Sequence, residues 1–143
     1  MTVRRSRTVP VALEDVWAVV GDPHHLPRWW PLTERVEAVD ADAWTSVMRS
    51  DRGKVVRADY RVEVHEPPRR RAWSQALEGT PFERLLREHR TEVALAPHGD
   101  GTAVTLTVTQ RGRGTTRLGM WMLRKATRRR LDEALDSLSG ALT

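Results

Sequence analysis

Apolar and polar positions along this chain follow two periods, and the places where the period switches mark the elements. Thr2–Val9 alternates, with Val3, Arg5, Arg7 and Val9 on one face and Thr2, Arg4, Ser6 and Thr8 on the other. So polar a strand suits a sheet edge or a face open to water. After Pro10 the spacing becomes helical: Leu13, Val16, Trp17 and Val20 share one side, and Gly21 is placed to stop the helix. Asp22 then predicts a cap for a short second helix with Pro23 at its first position, kept short by Pro27 and Pro31.

From Thr33 the period is two. Strands are predicted over Glu34–Asp40 and Ala43–Ser50, with Trp44, Ser46 and Met48 on one face, and Asp51-Arg52-Gly53 closes a hairpin. Lys54–Val64 alternates most cleanly, placing Val56, Ala58, Tyr60, Val62 and Val64 together. Arg70–Leu77 groups Arg71, Trp73, Gln75 and Leu77, and Glu78–Arg84 is a loop. Leu86–Leu95 groups His89, Thr91, Val93 and Leu95, although its first residues alternate poorly. Thr102–Gln110 places Val104, Leu106, Val108 and Gln110 on one side.

The last stretch, Thr115–Leu142, reads as one long helix. Met120, Leu123, Thr127, Leu131, Ala134, Leu135, Leu138 and Leu142 fall on one side. At 1.5 Å per residue it spans roughly 40 Å. Leu118, Trp121 and Met122 lie off that side. Arg117, Arg124, Lys125 and Arg128–Arg130 crowd its first two-thirds while Asp132, Glu133 and Asp136 come late, the reverse of what the helix dipole favours. Arg128–Asp132 and Arg129–Glu133 are spaced for i, i+4 ion pairs.

The order is strand, two short helices, six strands, long helix. It predicts an α+β domain spanning residues 1–143, a seven-stranded antiparallel sheet that curls around the C-terminal helix. Between a curved sheet and a helix lying across it there is room for a ligand cavity.

Composition narrows the chemistry. Cys is absent, which removes disulfides, thiolate metal sites and a Cys nucleophile. No run of about 18 apolar residues and no secretory signal is present, so the reading is cytoplasmic. Net charge is +5, carried almost wholly by Arg, with clusters at Arg4-Arg5, Arg69–Arg71 and Arg128–Arg130. Acidic residues are interspersed with these, and no helix-turn-helix, zinc-finger or RNA-recognition pattern accompanies them, so nucleic acid is not the expected partner. There is no phosphate-cradling Gly loop and no G-x-S-x-G elbow. His24 and His25 are adjacent and diverge, so no metal site is expected there, and no cofactor is implied.

Polar residues that share a strand face with apolar ones are the candidates for a cavity wall. They are Tyr60, Gln75, His89, Thr91 and Gln110, with Arg71 and Arg87 near strand ends. His89 titrates near neutrality when unperturbed, and a buried Tyr60 hydroxyl could hold a ketone or enolate oxygen, so these two form the candidate acid–base pair. The alternative is that both are core residues with one hydrogen bond each. Trp29, Trp30, Trp44 and Trp73 are candidates for contact with a flat ligand, Leu106 and Leu123 for its apolar wall, while core filling remains the commoner use of Trp.

Several stretches carry a resemblance. Thr8–Trp17 resembles the strand-to-helix junction of the START-like or SRPBCC superfamily, the helix-grip fold of the birch pollen allergen. Gly21-Asp22-Pro23 with Leu26–Pro31 is similar to its second-helix segment, and Gly101-Thr102 and the closing Leu131–Leu138 also fit. Among its branches, bacterial polyketide cyclase/dehydrase and lipid-transport proteins look nearest. The resemblance covers the whole length and rests on fold markers. It implies a cavity for a hydrophobic polyketide-, lipid- or aromatic-like molecule. Two alternatives stay open: a cofactor-independent cyclase, aromatase or dehydratase using His89 and Tyr60, and a protein-interaction module resembling chaperone-ATPase activators. Leu118, Trp121 and Met122 predict an exposed patch, expected to serve a homodimer ahead of a membrane surface.

Overall fold

The computed structural model describes residues 1–114 and 116–143. Strand β1 (Thr2–Val9) leads into helix α1 (Leu13–Val20), a 3-10 turn at Pro23–His25 and helix α2 (Leu26–Trp29). Strands β2 (Thr33–Glu37), β3 (Ala43–Arg49), β4 (Val55–Glu66), β5 (Arg70–Gln75), β6 (Leu86–His98) and β7 (Gly101–Gly112) follow, with a second 3-10 turn at Pro81–Arg84, and helix α3 (Arg117–Leu142) closes the chain. The strands form one antiparallel sheet in the order β1-β7-β6-β5-β4-β3-β2. This is the helix-grip arrangement. Among the described residues, no helix is long and apolar enough to cross a membrane.

Local chemistry accounts for the joints. The Asp22 carboxylate accepts from the His24 backbone N–H at 3.0 Å, capping the turn that Pro23 begins. Thr116 caps α3 in the same way, accepting from the Gly119 N–H at 3.0 Å; the first residue predicted for that helix, Thr115, lies outside the described residues. Gly53, at φ 80°, supplies the left-handed residue of the β3–β4 turn. A Cβ on Gly101 would lie 2.3 Å from the Val9 carbonyl oxygen, so only glycine lets β1 and β7 meet there.

Several elements depart from the pattern. β2 ends at Glu37, three residues early, where Ala38 turns the chain at φ 50°. β6 and β7 run to a tighter turn than expected, reaching His98 and starting at Gly101. The Glu78–Arg84 loop contains a 3-10 turn capped by Thr80. Of the two predicted i, i+4 pairs on α3, Arg129–Glu133 forms at 3.8 Å, but Asp132 reaches instead across to Arg5 on β1 at 2.8 Å. Asp136 likewise pairs with Arg7. The late acids on α3 therefore answer the two arginines on the inner face of the edge strand.

The core lies under the C-terminal half of α3. Leu131, Ala134, Leu135 and Leu138 are buried against Val93, Leu95, Val104 and Leu106 of the sheet and Val16 and Val20 of α1. Farther toward the start of α3 this close packing opens into a cavity.

Candidate functional site

The cavity has two lobes. One, of about 290 Å³, lies between Trp30-Pro31-Leu32 and the middle of α3, where Thr127, Arg130 and Leu131 face it. The other, of about 500 Å³, lies between the Pro81–Arg84 turn and the start of α3, with Phe82, Leu85, Leu86 and Gly119 in its wall. Both lobes touch Gln75, His89, Gln110 and Leu123, which form the wall between them. Each lobe is of the size that small organic ligands occupy.

Register explains why the polar groups meet there. Tyr60 stands opposite Gln75 across β4 and β5, and His89 stands opposite Gln110 across β6 and β7. Ser74 is opposite Arg90, so one step further Gln75 comes level with His89. Tyr60, Gln75, His89 and Gln110 thus make one row across four neighbouring strands, all on the concave face. Adjacent strands are about 4.8 Å apart, which puts the Tyr60 and His89 backbones roughly 10 Å from each other with Gln75 between. They are not a hydrogen-bonded pair; a molecule touching both would lie along the row. His89 faces inward in step with Thr91, Val93 and Leu95, and a bulge between Leu86 and Glu88 interrupts that alternation at the start of β6. The same bulge leaves Arg87 exposed, correcting its expected place on the cavity face.

The groups in the row are desolvated rather than ionised. Burial alone pushes the Tyr60 phenol up to about 12, so it is a hydrogen-bond donor at neutral pH. Burial also lowers the His89 pKa and keeps the imidazole neutral, and its Nδ1 is buried without a hydrogen-bond partner among the described residues. The Gln110 carbonyl accepts from the Thr127 hydroxyl at 3.3 Å, tying β7 to α3. Arg130 supplies a cation at the edge of the first lobe, held by Asp51 at 3.3 Å and Glu133 at 3.2 Å.

The predicted aromatic residues divide by depth. Trp30 and Tyr60 line the first lobe. Trp29, Trp44 and Trp73 lie behind them, each at most 4% exposed, as do Thr91 and Leu106. The rings touch in a chain: Trp29–Trp30 at 5.3 Å, Trp30–Trp73 at 5.9 Å, Trp73–Trp44 at 5.7 Å, and Trp44 stacked on Tyr60 at 5.3 Å. These contacts brace the two rings that reach the cavity. Arg71 is buried at the far end of the concave face, over Trp44 and 2.7 Å from His65 Nδ1, away from both lobes. Met48, Phe82, Leu86 and Arg130 line the cavity without having been singled out. Arg130 falls three residues after Thr127 and seven after Leu123 on the same helix side, a spacing masked by the run Arg128–Arg130.

Comparison with known proteins agrees with this architecture. A family model described as "Polyketide cyclase / dehydrase and lipid transport" matches residues 1–143. No curated protein sequence matches. Among solved structures, a START superfamily protein from Mycobacterium smegmatis superposes with a TM-score of 0.79 at 13% identity, over 99% of this chain and 96% of that one. Ara h 8.0201 superposes at 0.76 and 16% identity, over 99% and 97%. The di-domain ARO/CYC protein StfQ of the steffimycin biosynthetic pathway superposes at 0.79 and 16% identity, over 97% of this chain and 49% of that one, so this chain spans about half of StfQ.

Proposed function

The chain belongs to the polyketide cyclase/dehydrase and lipid transport family, and from that premise we propose that it binds a hydrophobic small molecule in the two-lobed cavity. The observation that carries this reading is the row of Tyr60, Gln75, His89 and Gln110 set in mainly apolar walls, with the His89 Nδ1 buried and without a partner among the described residues. A buried polar atom without a partner costs free energy that a ligand hydroxyl or carbonyl would recover. The ligand is mainly apolar, with oxygen functions placed to meet the row. Leu123, which touches both lobes, and Trp30 supply apolar contact; Trp29, Trp44, Trp73, Thr91 and Leu106 support the wall from behind.

Native mass spectrometry of the purified protein tests it directly. The expected result is a co-purified small molecule, or stoichiometric uptake of a fluorescent apolar probe that Leu123→Trp blocks by filling the space both lobes share. A protein that holds no molecule and takes up no probe overturns the reading.

A second reading, a cofactor-independent cyclase or dehydratase, is favoured by the same neutral imidazole. His89 would take a proton from the carbon next to a ketone, and the electron pair would move onto the carbonyl oxygen, which the Tyr60 hydroxyl would hold. Turnover of a polyketide or ketone lost in His89→Ala and lowered in Tyr60→Phe, with probe binding kept, supports it. Turnover unchanged in both variants rejects it.

A further inference from the structure

Outside the cavity, the largest unexplained feature is the outer face of the first half of α3. Leu118 is 67% exposed, Trp121 58% and Met122 59%, and Leu85, on the neighbouring turn, is 65% exposed. Leu118, Trp121, Met122, Lys125 and Arg129 form a single stripe at helical spacing. Trp121 and Met122 flank a shallow depression whose rim carries Lys125 and Arg129. Exposed cations surround the apolar residues: Arg84 and Arg113 beside Leu85, Arg117 at the helix start, and Lys125, Arg128 and Arg129 along it. The Lys125 ammonium lies 5.4 Å from the centre of the Trp121 ring. The carboxylates of the helix are all farther on, where Asp132 and Asp136 are taken up by Arg5 and Arg7 of β1 and Glu133 by Arg129 and Arg130.

We propose that this face docks on an anionic lipid bilayer, with Leu85, Leu118, Trp121 and Met122 entering the headgroup region and the surrounding arginines and lysine meeting the lipid charge. Charge complementarity selects this occupant. Each Lys or Arg near an anionic bilayer adds to the attraction, and an aromatic-plus-aliphatic stripe flanked by cations is the pattern of interfacial helices. A second copy of the chain is disfavoured by the same charges, because a two-fold contact sets the patch against itself and brings the cations together. The face also borders the larger lobe. Leu85 is at once one of the protruding residues and part of that lobe's wall, next to Arg113 and Gly119. Docked this way, the protein would hold the opening of the lobe against the lipid surface. The docking itself does not depend on what the cavity holds.

Co-sedimentation with vesicles tests the proposal on the whole chain. Vesicles of phosphatidylcholine alone are compared with vesicles containing about a third phosphatidylglycerol, at low and high salt. The expected result is binding only to the anionic vesicles, weakened by salt. A basic protein can adsorb by charge alone, so the deciding variants leave the charge unchanged. Trp121→Ser and Met122→Ser each lower the partition coefficient roughly tenfold, as expected for the loss of one buried apolar side chain. Val55→Ser, an exposed apolar residue on β4, leaves it unchanged. Arg128→Gln lowers binding more than Arg69→Gln, which lies in the β4–β5 turn. All these side chains are exposed, so unchanged melting temperatures are expected throughout. Equal binding by Trp121→Ser and the parent chain overturns the proposal, as does equal binding to neutral vesicles. So does a dimer in light scattering that Trp121→Ser dissociates, or an acidic protein that binds this face while anionic vesicles do not.

Discussion

The two halves of α3 lie against one sheet and differ in almost everything else. In the second half Leu131, Ala134, Leu135 and Leu138 are at most 2% exposed, while in the first half Leu118, Trp121 and Met122 are more than half exposed and Leu123 and Ala126 face a cavity. The cause lies in the side chains the sheet offers to each half. Under the second half stand Val93, Leu95, Val104 and Leu106, which interlock with leucines and leave no gap. Under the first half the concave face carries Tyr60, Gln75, His89 and Gln110. A helix cannot close tightly over these without stranding their polar atoms, so it stands off and leaves space. One helix thus serves as core at one end and as a roof at the other, and the change comes near Thr127.

The largest effect should come from truncating each half in turn. Leu135→Ala removes a fully buried leucine and should cost about 3 kcal/mol or more. Leu123→Ala enlarges a space already open and should cost less than about 1 kcal/mol, while weakening uptake of an apolar probe. Denaturant titration measures the first quantity and probe fluorescence the second. Equal destabilisation by the two variants would break the comparison.

Next in size is the tyrosine. Tyr60 is the sole tyrosine of the chain, so its ionisation can be followed by ultraviolet absorbance without interference. The midpoint should lie near 12 in the folded protein, against 10.0 for an ordinary tyrosine. Because the folded pKa is raised, the unfolded chain ionises first. Stability is therefore full below about pH 10 and falls as pH climbs toward about 12, by about 2 kcal/mol from this group. Tyr60→Phe should remove that slope. A midpoint near 10 would mean that the phenol sits in bulk water and the first lobe is not desolvated.

The architecture was legible because most strands alternate and the second half of the long helix keeps its apolar residues on one side, both of which are local patterns. The individual members of the polar row were legible for the same reason: Gln75 stands out beside Trp73 and Leu77, and Gln110 after Val108. That they form one row was not. It depends on the register of three successive strand pairs, which a shift between Val62 and Val64 resets, and such a shift leaves no periodic trace. Depth was equally hidden. Trp44 and Tyr60 are level on neighbouring strands, yet Tyr60 reaches the cavity and Trp44 does not, because Tyr60 stacks on the Trp44 ring and Trp73 and Arg71 cover the rest of it. Arg130 was obscured by lying in a run of three arginines, and the Arg5–Asp132 pair by a separation of 127 positions along the chain.

A smaller effect is expected from His89. Its pKa is lowered in the folded protein, so the unfolded chain takes up a proton first as the solution is acidified. The stability contributed by the neutral imidazole is complete above the ordinary His value of 6.5 and is lost progressively as pH falls below it. His89→Gln should flatten the stability profile between about pH 7 and about pH 5 relative to the parent chain. A parent profile parallel to that of the variant would show that the ring reaches water, and the cavity wall would then not be the dry surface that distinguishes this half of α3.

The smallest effect falls where the two halves of the helix meet. Thr127 is 8% exposed, and its hydroxyl donates to Gln110 at 3.3 Å, a distance at the long end for such a bond. Thr127→Val keeps the shape and removes the donor. The Gln110 carbonyl still borders the cavity and can turn to water or to a ligand, so the expected cost is only about 0.5–1 kcal/mol by denaturant titration. The same change frees an acceptor in the row, and a ligand bearing a hydroxyl group should bind the variant as well as or better than it binds the parent chain. A loss as large as that of Leu135→Ala would mean that the Thr127–Gln110 contact is part of the packed core. The boundary between core and roof would then have to move toward the start of α3, to Leu123.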